Sequence, residues 1–344
     1  MSPRARDLGI EIGELEPGPL NAITDVAGIQ VGHATIVRGE DVRTGVTVVV
    51  PDLLPCFAAP FRLNGNGEMT GLEWVRESGL LTTPIGITNT FSVGVVRDAI
   101  VESQVRISRD RWHLPVVAET WDGLLNDIAG MHVQREHVFE ALEKAQDGPV
   151  AEGSVGGGTG MICHGFKGGI GTASRSADGH TLGVLVQANH GSRSRLQIDG
   201  VPVGRALGAE RIPLPPRSED EPGGSIIVLV ATDAPLSPDQ CERLAVRAAL
   251  GIGRTGGAGE DSSGDLILAF ATGNDGLAED EPAYIKRLAG HRLNPLFYAA
   301  IEATEEAIVN ALLAAETMSG RAGTVHRLDP ELVVEAMRAR VDAR

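Results

Sequence analysis

The chain has 344 residues, 42% of them hydrophobic and 22% charged, with a formal net charge of −16, so it is long enough to bury a sizeable core. Only 3% of the residues are aromatic and no Lys or Arg cluster marks one face, so we expect neither nucleic acid nor an anionic membrane as a partner. The three cysteines are widely spaced, and no segment reaches the roughly 18 apolar residues that a membrane span needs. Together with an N-terminus that lacks an apolar signal region, these features predict a cytoplasmic protein without a disulfide framework.

Short apolar or β-branched runs predict buried strands along the whole chain. In chain order these runs are GVTVVV (45–50), LPVVAE (114–119), TLGVLVQA (181–188), SIIVLVA (225–231) and DLILAFA (265–271). Helical spacing of apolar residues predicts helices over 135–145, after Ser237-Pro238, and from Asn294-Pro295 to Gly320. Because continuous apolar strands are typical of sheets covered by helices, the pattern predicts one compact α/β domain over 1–344, with RSEDEPGG (217–224) as an exposed loop.

The glycine run in EGSVGGGTGM (152–161) lacks the GK[ST] of a phosphate-binding loop, and no strand clearly precedes it as in a dinucleotide fingerprint. A structural turn and a backbone wall for a ligand both remain open for it. The nine histidines show no HExxH or paired metal spacing, so we predict no metal site. His164 and His190 are accordingly expected to be polar residues with satisfied hydrogen bonds. The sequence contains no GxSxG motif, which argues against an ordinary α/β-hydrolase.

Carboxylates lie on the predicted C-terminal helix at positions that differ in their expected burial. Glu305 shares a face with Thr304 and Ile308, which should be buried, so its carboxylate needs a partner or a route to solvent. Glu306 projects toward Glu302 and is predicted to lie on a solvated face.

The stretch EDSSGDLILAF (260–270) puts Ser262 and Ser263 directly before a predicted buried strand. A serine at this position is usually a turn residue. The alternative is that the chain is cut before it, because an N-terminal serine carries a nucleophile and, in its α-amine, a base that titrates near neutrality. Such a site also needs an oxyanion donor, and Asn189, at the end of a predicted strand, offers its amide.

Nine segments occur in order over nearly the whole chain and together resemble one family. They are GPLNAITDVAGIQVGH (18–33), NGNGEMTG (64–71), GITNTFSVGVV (86–96), AETWDGLLND (118–127), EGSVGGGTGM (152–161), LGVLVQANHG (182–191), VPVGRALGA (201–209), SSGDLILAFATGN (262–274) and EATEEAIVNALLAAETM (302–318). The family is the self-processing serine aminopeptidases, which include L-aminopeptidase/D-amidase-esterase and the β-peptidyl aminopeptidases.

The resemblance implies an αββα sandwich akin to that of N-terminal nucleophile hydrolases, with different connectivity. It implies an aminopeptidase for short peptides, amides or esters with a free amino end, which uses no metal or organic cofactor. It also implies a homo-oligomer of αβ units, a tetramer. Two rivals remain: an acetyltransferase of related architecture, which uses a Thr nucleophile, and an uncleaved binding protein.

Residue by residue, the resemblance implies self-cleavage before a Ser-Gly-Asp, which is the Ser262–Ser263 bond here. The products would be an α chain (1–262) and a β chain (263–344), with Ser263 as the nucleophile. Asn189 would bind the oxyanion and Glu119 the free amine of the substrate. Trp121 stands where some members have a Tyr that contacts the oxyanion.

Two further assignments follow from the resemblance. Some members of the family have a Ser-x-Glu pair near the amine of the nucleophile. In this sequence the pair corresponds either to Thr304-x-Glu306 or to Ala303-x-Glu305, and the helical-face argument favours Glu305. The glycines Gly156, Gly157 and Gly158 are predicted to form a wall of the substrate pocket.

Overall fold

Two stacked β-sheets lie between helices in the computed structural model, which describes residues 3–216, 224–277 and 284–341, without the side chains of Arg340 and Val341. The strands are β1 (Ile29–Arg38), β2 (Val42–Pro51), β3 (Cys56–Gly65), β4 (Leu80–Leu81), β5 (Ile85–Asn89), β6 (Val116–Thr120), β7 (Ile162–Cys163), β8 (Phe166–Lys167), β9 (Gly169–Ala177), β10 (His180–Asn189), β11 (Ser225–Thr232), β12 (Gly264–Ala271), β13 (Met318–Gly320) and β14 (Gly323–Val325). The helices are α1 (Leu72–Ser78), α2 (Val93–Ile107), α3 (Arg135–Glu143), α4 (Val203–Ala206), α5 (Pro238–Arg254), α6 (Asn294–Ala314) and α7 (Pro330–Val341).

The smaller of the two stacked sheets has the strand order β1-β2-β5-β6, and the larger has the order β4-β3-β12-β11-β10-β9. Neighbouring strands are antiparallel except for two parallel pairs, β5 with β6 and β11 with β12. Each parallel pair needs a crossover connection, which α2 and α5 respectively supply. The two short hairpins β7-β8 and β13-β14 lie outside these sheets.

Alternation of apolar side chains along the strands builds three layers of core. On β11, Ile227 and Leu229 face the smaller sheet, whereas Ile226 and Val228 face α5 and α6. A third apolar cluster fills the space between the smaller sheet and α2 and α3. The order helix, sheet, sheet, helix confirms the predicted αββα sandwich.

Close packing of α6 on the larger sheet depends on a glycine. A Cβ atom built on Gly171 of β9 would lie 2.0 Å from the carbonyl oxygen of Ala307 in α6. No side chain fits at that distance, so the glycine sets the separation between helix and sheet.

All five predicted strands are confirmed, with bounds that differ by at most a few residues. The helices over 135–145 and after Ser237 are likewise present as α3 and α5. The predicted loop at 217–224 lies outside the described residues except for Gly224. Among the described helices, none is both long enough and apolar enough to span a bilayer.

Two predictions for the C-terminal helix were wrong. The helix ends at Ala314 rather than near Gly320, because the chain turns extended at Ala315 and then pairs as β13 with β14. Glu306 is buried rather than solvated, since α6 is enclosed by the larger sheet, α5 and the N-terminal segment. Arg175 Nη2 lies 2.6 Å from Glu306 Oε2, and Arg6 Nε lies 3.2 Å from its Oε1.

Candidate active site

The ends of three central strands of the larger sheet meet at one edge. Asn189, the last residue of β10, pairs with Ser225, the first residue of β11. In the parallel ladder beside it, Ile226 pairs with Asp265 of β12, so Ser263 lies at the same edge. The topology therefore gathers an amide and two hydroxyl groups from strand termini, where a backbone can present side chains without interrupting the sheet.

A small cavity of about 220 Å³ opens at this edge. It is lined by Asn66, Gly67, Glu68, Thr90, Glu119, Trp121, Ser225 and Ser262. The lining thus combines one carboxylate at the end of β6 with serines from the larger sheet, and the cavity lies between the two sheets. Ser263 is not among the described residues that line it.

Ser225 is 5% exposed and sits at the wall of the cavity. Its Oγ accepts a hydrogen bond from the backbone N–H of Gly264 at 3.1 Å. A Cβ atom built on the preceding Gly224 would lie 2.0 Å from the carbonyl oxygen of Asn189. Only glycine therefore fits before Ser225 in this backbone.

The hydroxyl of Ser263, directly before β12, is hydrogen-bonded to a residue of that strand. It donates to Asp265 Oδ1 at 2.7 Å, and the Asp265 carboxylate also accepts the backbone N–H of Ile226. Burial raises the pKa of Asp265 above its ordinary value. One residue earlier, the carbonyl oxygen of Ser262 accepts from Asn66 Nδ2 at 2.8 Å.

Two hydrogen bonds fix the side-chain amide of Asn189. Its Oδ1 accepts the backbone N–H of Ile162 at 2.7 Å, and its Nδ2 donates to the backbone carbonyl of Trp121 at 3.0 Å. The amide nitrogen is thereby turned toward the cavity side, where Trp121 lies. One of its two hydrogens satisfies Trp121, which leaves the second for another acceptor.

Glu119 is 3% exposed and lines the cavity with its carboxylate. The backbone N–H of Glu68 donates to Oε1 at 2.9 Å, and the hydroxyl of Thr90 donates to Oε2. Burial raises the pKa of Glu119, while these two donors oppose the shift. A cationic group in the cavity would restore the charged form, so the site suits an ammonium ion.

The predicted helical residues are not brought to the cavity. The hydroxyl of Thr304 donates to the carbonyl of Ala300 at 2.6 Å within α6. Arg254 Nε lies 2.5 Å from Glu305 Oε2, and the backbone N–H of Asp199 donates to Oε1 at 3.1 Å. Glu305 is therefore buried and paired, as its helix face predicted, but its contacts lie on the α5 side of α6. A role beside the nucleophile stays a prediction for these residues and for Glu306.

The glycine run forms a short 3-10 turn, Gly156–Gly158, packed between the sheets. A Cβ atom on Gly157 would lie 2.2 Å from Gln187 Oε1, and one on Gly158 would lie 2.4 Å from the backbone nitrogen of Ile170. Packing alone thus requires these glycines. Their role as a pocket wall stays a prediction.

The sequence analysis did not single out Ser225, which also lines the cavity. This serine opens the predicted strand SIIVLVA directly after a polar, Pro- and Gly-containing segment, whereas Ser263 lies two residues before DLILAFA after a polar, Gly-containing segment. Only the register between β10 and β11 puts one of them opposite Asn189.

The fold and the comparisons with known proteins define a hydrolase of the aminopeptidase class. The model of peptidase family S58 matches residues 21–326, and the chain belongs to that family. The chain is 47% identical over 355 residues to a β-peptidyl aminopeptidase of Sphingosinicella microcystinivorans, covering 95% of this chain and 89% of the relative.

Solved structures agree with this assignment. A β-aminopeptidase of a Burkholderia species is similar with a TM-score of 0.92 and 53% identity, covering 98% of this chain and 99% of that chain. The L-aminopeptidase D-Ala-esterase/amidase of Ochrobactrum anthropi, a serine aminopeptidase with a variant of the N-terminal nucleophile hydrolase fold, is similar with a TM-score of 0.89 and 41% identity, over 98% and 99% of the two chains. The protein is accordingly an aminopeptidase.

Proposed function

We propose that the protein is a self-processing aminopeptidase whose nucleophile is Ser225, freed as a new N-terminus by cleavage after Gly224. The observation that carries this proposal is the position of Ser225 at the cavity wall, paired in register with Asn189 and facing the cavity that Glu119 lines. Nucleophile, oxyanion donor and amine-binding carboxylate then belong to one site.

The geometry favours Ser225 over Ser263 for this role. The Ser225 hydroxyl accepts from Gly264 N–H and, within the described part of the chain, makes no hydrogen bond to a carboxylate, whereas the Ser263 hydroxyl donates to Asp265. Ser225 is also preceded by Gly224, whose tight contact with Asn189 constrains the peptide that would be cut. Ser263 as nucleophile, with cleavage at Ser262–Ser263, is the alternative that the experiment below distinguishes.

In the mechanism, Ser225 Oγ attacks the acyl carbon while its own α-amine accepts the hydroxyl proton. The C–O bond to serine forms, the C–N or C–O bond of the substrate breaks, and the proton passes to the leaving group. Water then hydrolyses the acyl ester and regenerates the hydroxyl. The free hydrogen of the Asn189 amide stabilises the oxyanion in both steps.

Ser263 and Asp265 support the amine in this arrangement. Asp265 accepts the N–H of Ile226, the residue directly after Ser225, so a new amine on Ser225 lies one residue from this carboxylate. A hydroxyl and a carboxylate at that distance orient an α-amine and tune its proton affinity. The family resemblance implied this supporting role for residues of α6.

Glu119 selects substrates with a free amino end. Its buried carboxylate, already holding two donors, gains an ionic partner when an ammonium group enters the cavity. The small volume favours a short amino-terminal residue. Because the relatives at 43–47% identity are β-peptidyl aminopeptidases, we propose that peptides with an amino-terminal β-amino acid are among the substrates. A cytoplasmic homo-oligomer of αβ units, tested by light scattering, also stays a prediction.

N-terminal sequencing of the purified protein after denaturing separation tests the proposal. Cleavage before Ser225 gives a smaller chain that begins SIIVL, and cleavage before Ser263 gives one that begins SGDLI. An intact chain of 36.1 kDa that hydrolyses aminoacyl substrates at full rate would overturn the self-processing mechanism.

A further inference from the structure

Three side chains that can bind a metal ion, from two separate segments of the chain, meet beneath the sheet edge. Cys163 ends β7, His164 follows it, and His190 follows the last residue of β10. One potential ligand atom from each lies within 4.8 Å of the other two, and all three residues are buried. The backbone of His164 is held at a φ of 49°, in the left-handed region that few residues other than glycine occupy.

Only one ring nitrogen of each histidine has a hydrogen-bond partner, so the sequence-based expectation of satisfied histidines is met in part. His164 Nδ1 lies 3.2 Å from the carbonyl oxygen of Ser192, which makes Nδ1 the protonated nitrogen and leaves the lone pair on Nε2. Across the described part of the chain, neither His164 Nε2 nor His190 Nε2 finds a hydrogen-bond partner. Buried polar atoms without partners are uncommon and indicate a missing ligand or solvent molecule.

The spacing of the cluster is close to that of a metal coordination shell. A tetrahedral Zn²⁺ with bonds of about 2.3 Å to sulfur and 2.0 Å to nitrogen holds those ligands roughly 3.5 Å apart. The three potential ligand atoms lie within 4.8 Å of one another, and Cys163 Sγ lies 3.8 Å from His190 Nδ1, so the ion would bind Nδ1 of His190 and Nε2 of His164. The Ser192 carbonyl that holds His164 Nδ1 is the kind of outer partner that fixes the orientation of a metal-binding imidazole.

We propose that Cys163, His164 and His190 form a binding site for Zn²⁺, with one tetrahedral position left for water. Binding of Zn²⁺ to the sulfur displaces the thiol proton of Cys163, which is released to solvent. Thiolate and imidazole together suit zinc over magnesium or calcium.

The site is linked to Asn189 through the backbone. Ile162, directly before Cys163, donates to Asn189 Oδ1, and His190 directly follows Asn189. An ion that draws Cys163 and His190 together changes the position of that amide. We therefore expect Zn²⁺ loading to alter turnover, an expectation that rests on the proposed role of Asn189, whereas Zn²⁺ binding itself does not.

The test uses the untagged, metal-free protein, titrated with Zn²⁺ in competition with a chromophoric chelator and, separately, with Co²⁺. We expect one Zn²⁺ per chain and, with Co²⁺, a near-ultraviolet band from thiolate-to-metal charge transfer. Cys163→Ser should lose the band and bind Zn²⁺ more than about 100-fold more weakly, beyond what loss of an outer partner causes. Cys241→Ser is the matched control, because Cys241 is an equally buried free thiol whose sulfur faces the carbonyl of Phe57.

Absence of stoichiometric Zn²⁺ on the wild type, or equal affinity in Cys163→Ser, would overturn the site. If Cys163→Ser does not fold, the Co²⁺ band of the wild type still decides whether sulfur is a ligand, and its absence overturns the proposal. Hydrolysis measured with and without Zn²⁺ forms a separate arm. Unchanged turnover at full occupancy would overturn the coupling to Asn189, and an inactive but zinc-binding protein would count against the proposed function alone.

Discussion

Asn189 and Ser225 face each other across the antiparallel pair β10 and β11, as the last residue of one strand and the first residue of the next. Directly opposed residues on neighbouring strands keep a fixed separation, because the ladder on one side of them sets it. The amide and the hydroxyl are therefore preorganised by the sheet itself rather than by a loop, which is the condition for effective stabilisation of an oxyanion.

Replacement of either serine separates the two candidate nucleophiles. We expect Ser225→Ala to remain one chain and to lose hydrolysis, because the hydroxyl serves both cleavage and turnover. Ser263→Ala should still be cut before Ser225 and retain turnover reduced by about 10- to 100-fold, since it removes only support for the amine. Denaturing mass spectrometry and initial rates on an aminoacyl-p-nitroanilide measure both effects. The reverse pattern would assign the nucleophile to Ser263.

Asn189→Ala should reduce turnover by about 100- to 1000-fold, the usual loss for an oxyanion donor. It also leaves the Ile162 N–H and the Trp121 carbonyl without their partner, which should lower the free energy of unfolding by about 1–3 kcal/mol. Steady-state kinetics at a temperature well below the melting point separates the two effects. A variant that is equally destabilised but fully active would remove Asn189 from the mechanism.

Glu119→Gln should raise KM for substrates with a free amine and change kcat less, because the contact exists before and during the reaction. The matched control is Glu68→Gln, a second carboxylate of the cavity that is exposed to solvent. In the wild type, N-acetylated peptides should be rejected, since a buried carboxylate would meet a neutral amide. Equal rates on acetylated and free peptides would show that Glu119 does not bind the amine.

Asp122 should make stability depend on pH. Burial raises its pKa from 3.8 to about 6, with Asn126 Nδ2 donating to Oδ1 at 3.0 Å. Because the pKa of Asp122 is raised in the folded state, the protonated carboxyl contributes to the free energy of unfolding. That contribution is complete below about pH 4 and is lost as the pH rises through 6. The shift corresponds to about 3 kcal/mol. Urea denaturation between pH 4 and pH 7.5 should show this loss in the wild type relative to Asp122→Asn, and parallel curves would contradict the assignment.

Arg175 should be essential for stability. It is buried, lies 2.6 Å from Glu306 Oε2 and 3.3 Å from Glu302 Oε2, and donates to the carbonyl of Ile12 at 2.7 Å. Arg175→Ala leaves two buried carboxylates without this cation and should cost about 3–5 kcal/mol in the free energy of unfolding.

The comparison is best made in a Ser225→Ala background, so that a single chain unfolds. Arg97→Ala, at an exposed ion pair with Asp98, is the control and should change the free energy by less than about 1 kcal/mol. Equal losses in the two variants would show that the buried network contributes nothing beyond a surface pair.

Sequence patterns predicted the parts of the fold that depend on local alternation and apolar runs. The strands at 225–231 and 265–271 were recognisable because each is a continuous run of apolar residues, typical of a sheet covered on both faces. The end of α6 was not, because Ala315 to Met318 favour a helix locally and the pairing of β13 with β14 overrides that preference.

The candidate site shows the same division. Asn189 was singled out because it ends an apolar strand and Glu119 because the family resemblance implied a role for it, and both roles stay predictions. Glu306 was placed in solvent because helical periodicity cannot show that the N-terminal segment and Arg175 cover that face. Ser225 was not singled out because the register between strands, not the residue pattern, puts it opposite Asn189.

The central position of β11 and β12 has a consequence for a cut before Ser225. These two strands lie between β10 and β3, both of which would belong to the other fragment. The shorter polypeptide would therefore supply the two central strands of the larger sheet. The fragments would share two of the three layers of core, the one between the sheets and the one between the larger sheet and α5 and α6, and could not separate without losing both. A molecule cut before Ser225 would therefore elute as one species in gel filtration and melt in one transition. Only separation under denaturing conditions would resolve its two chains.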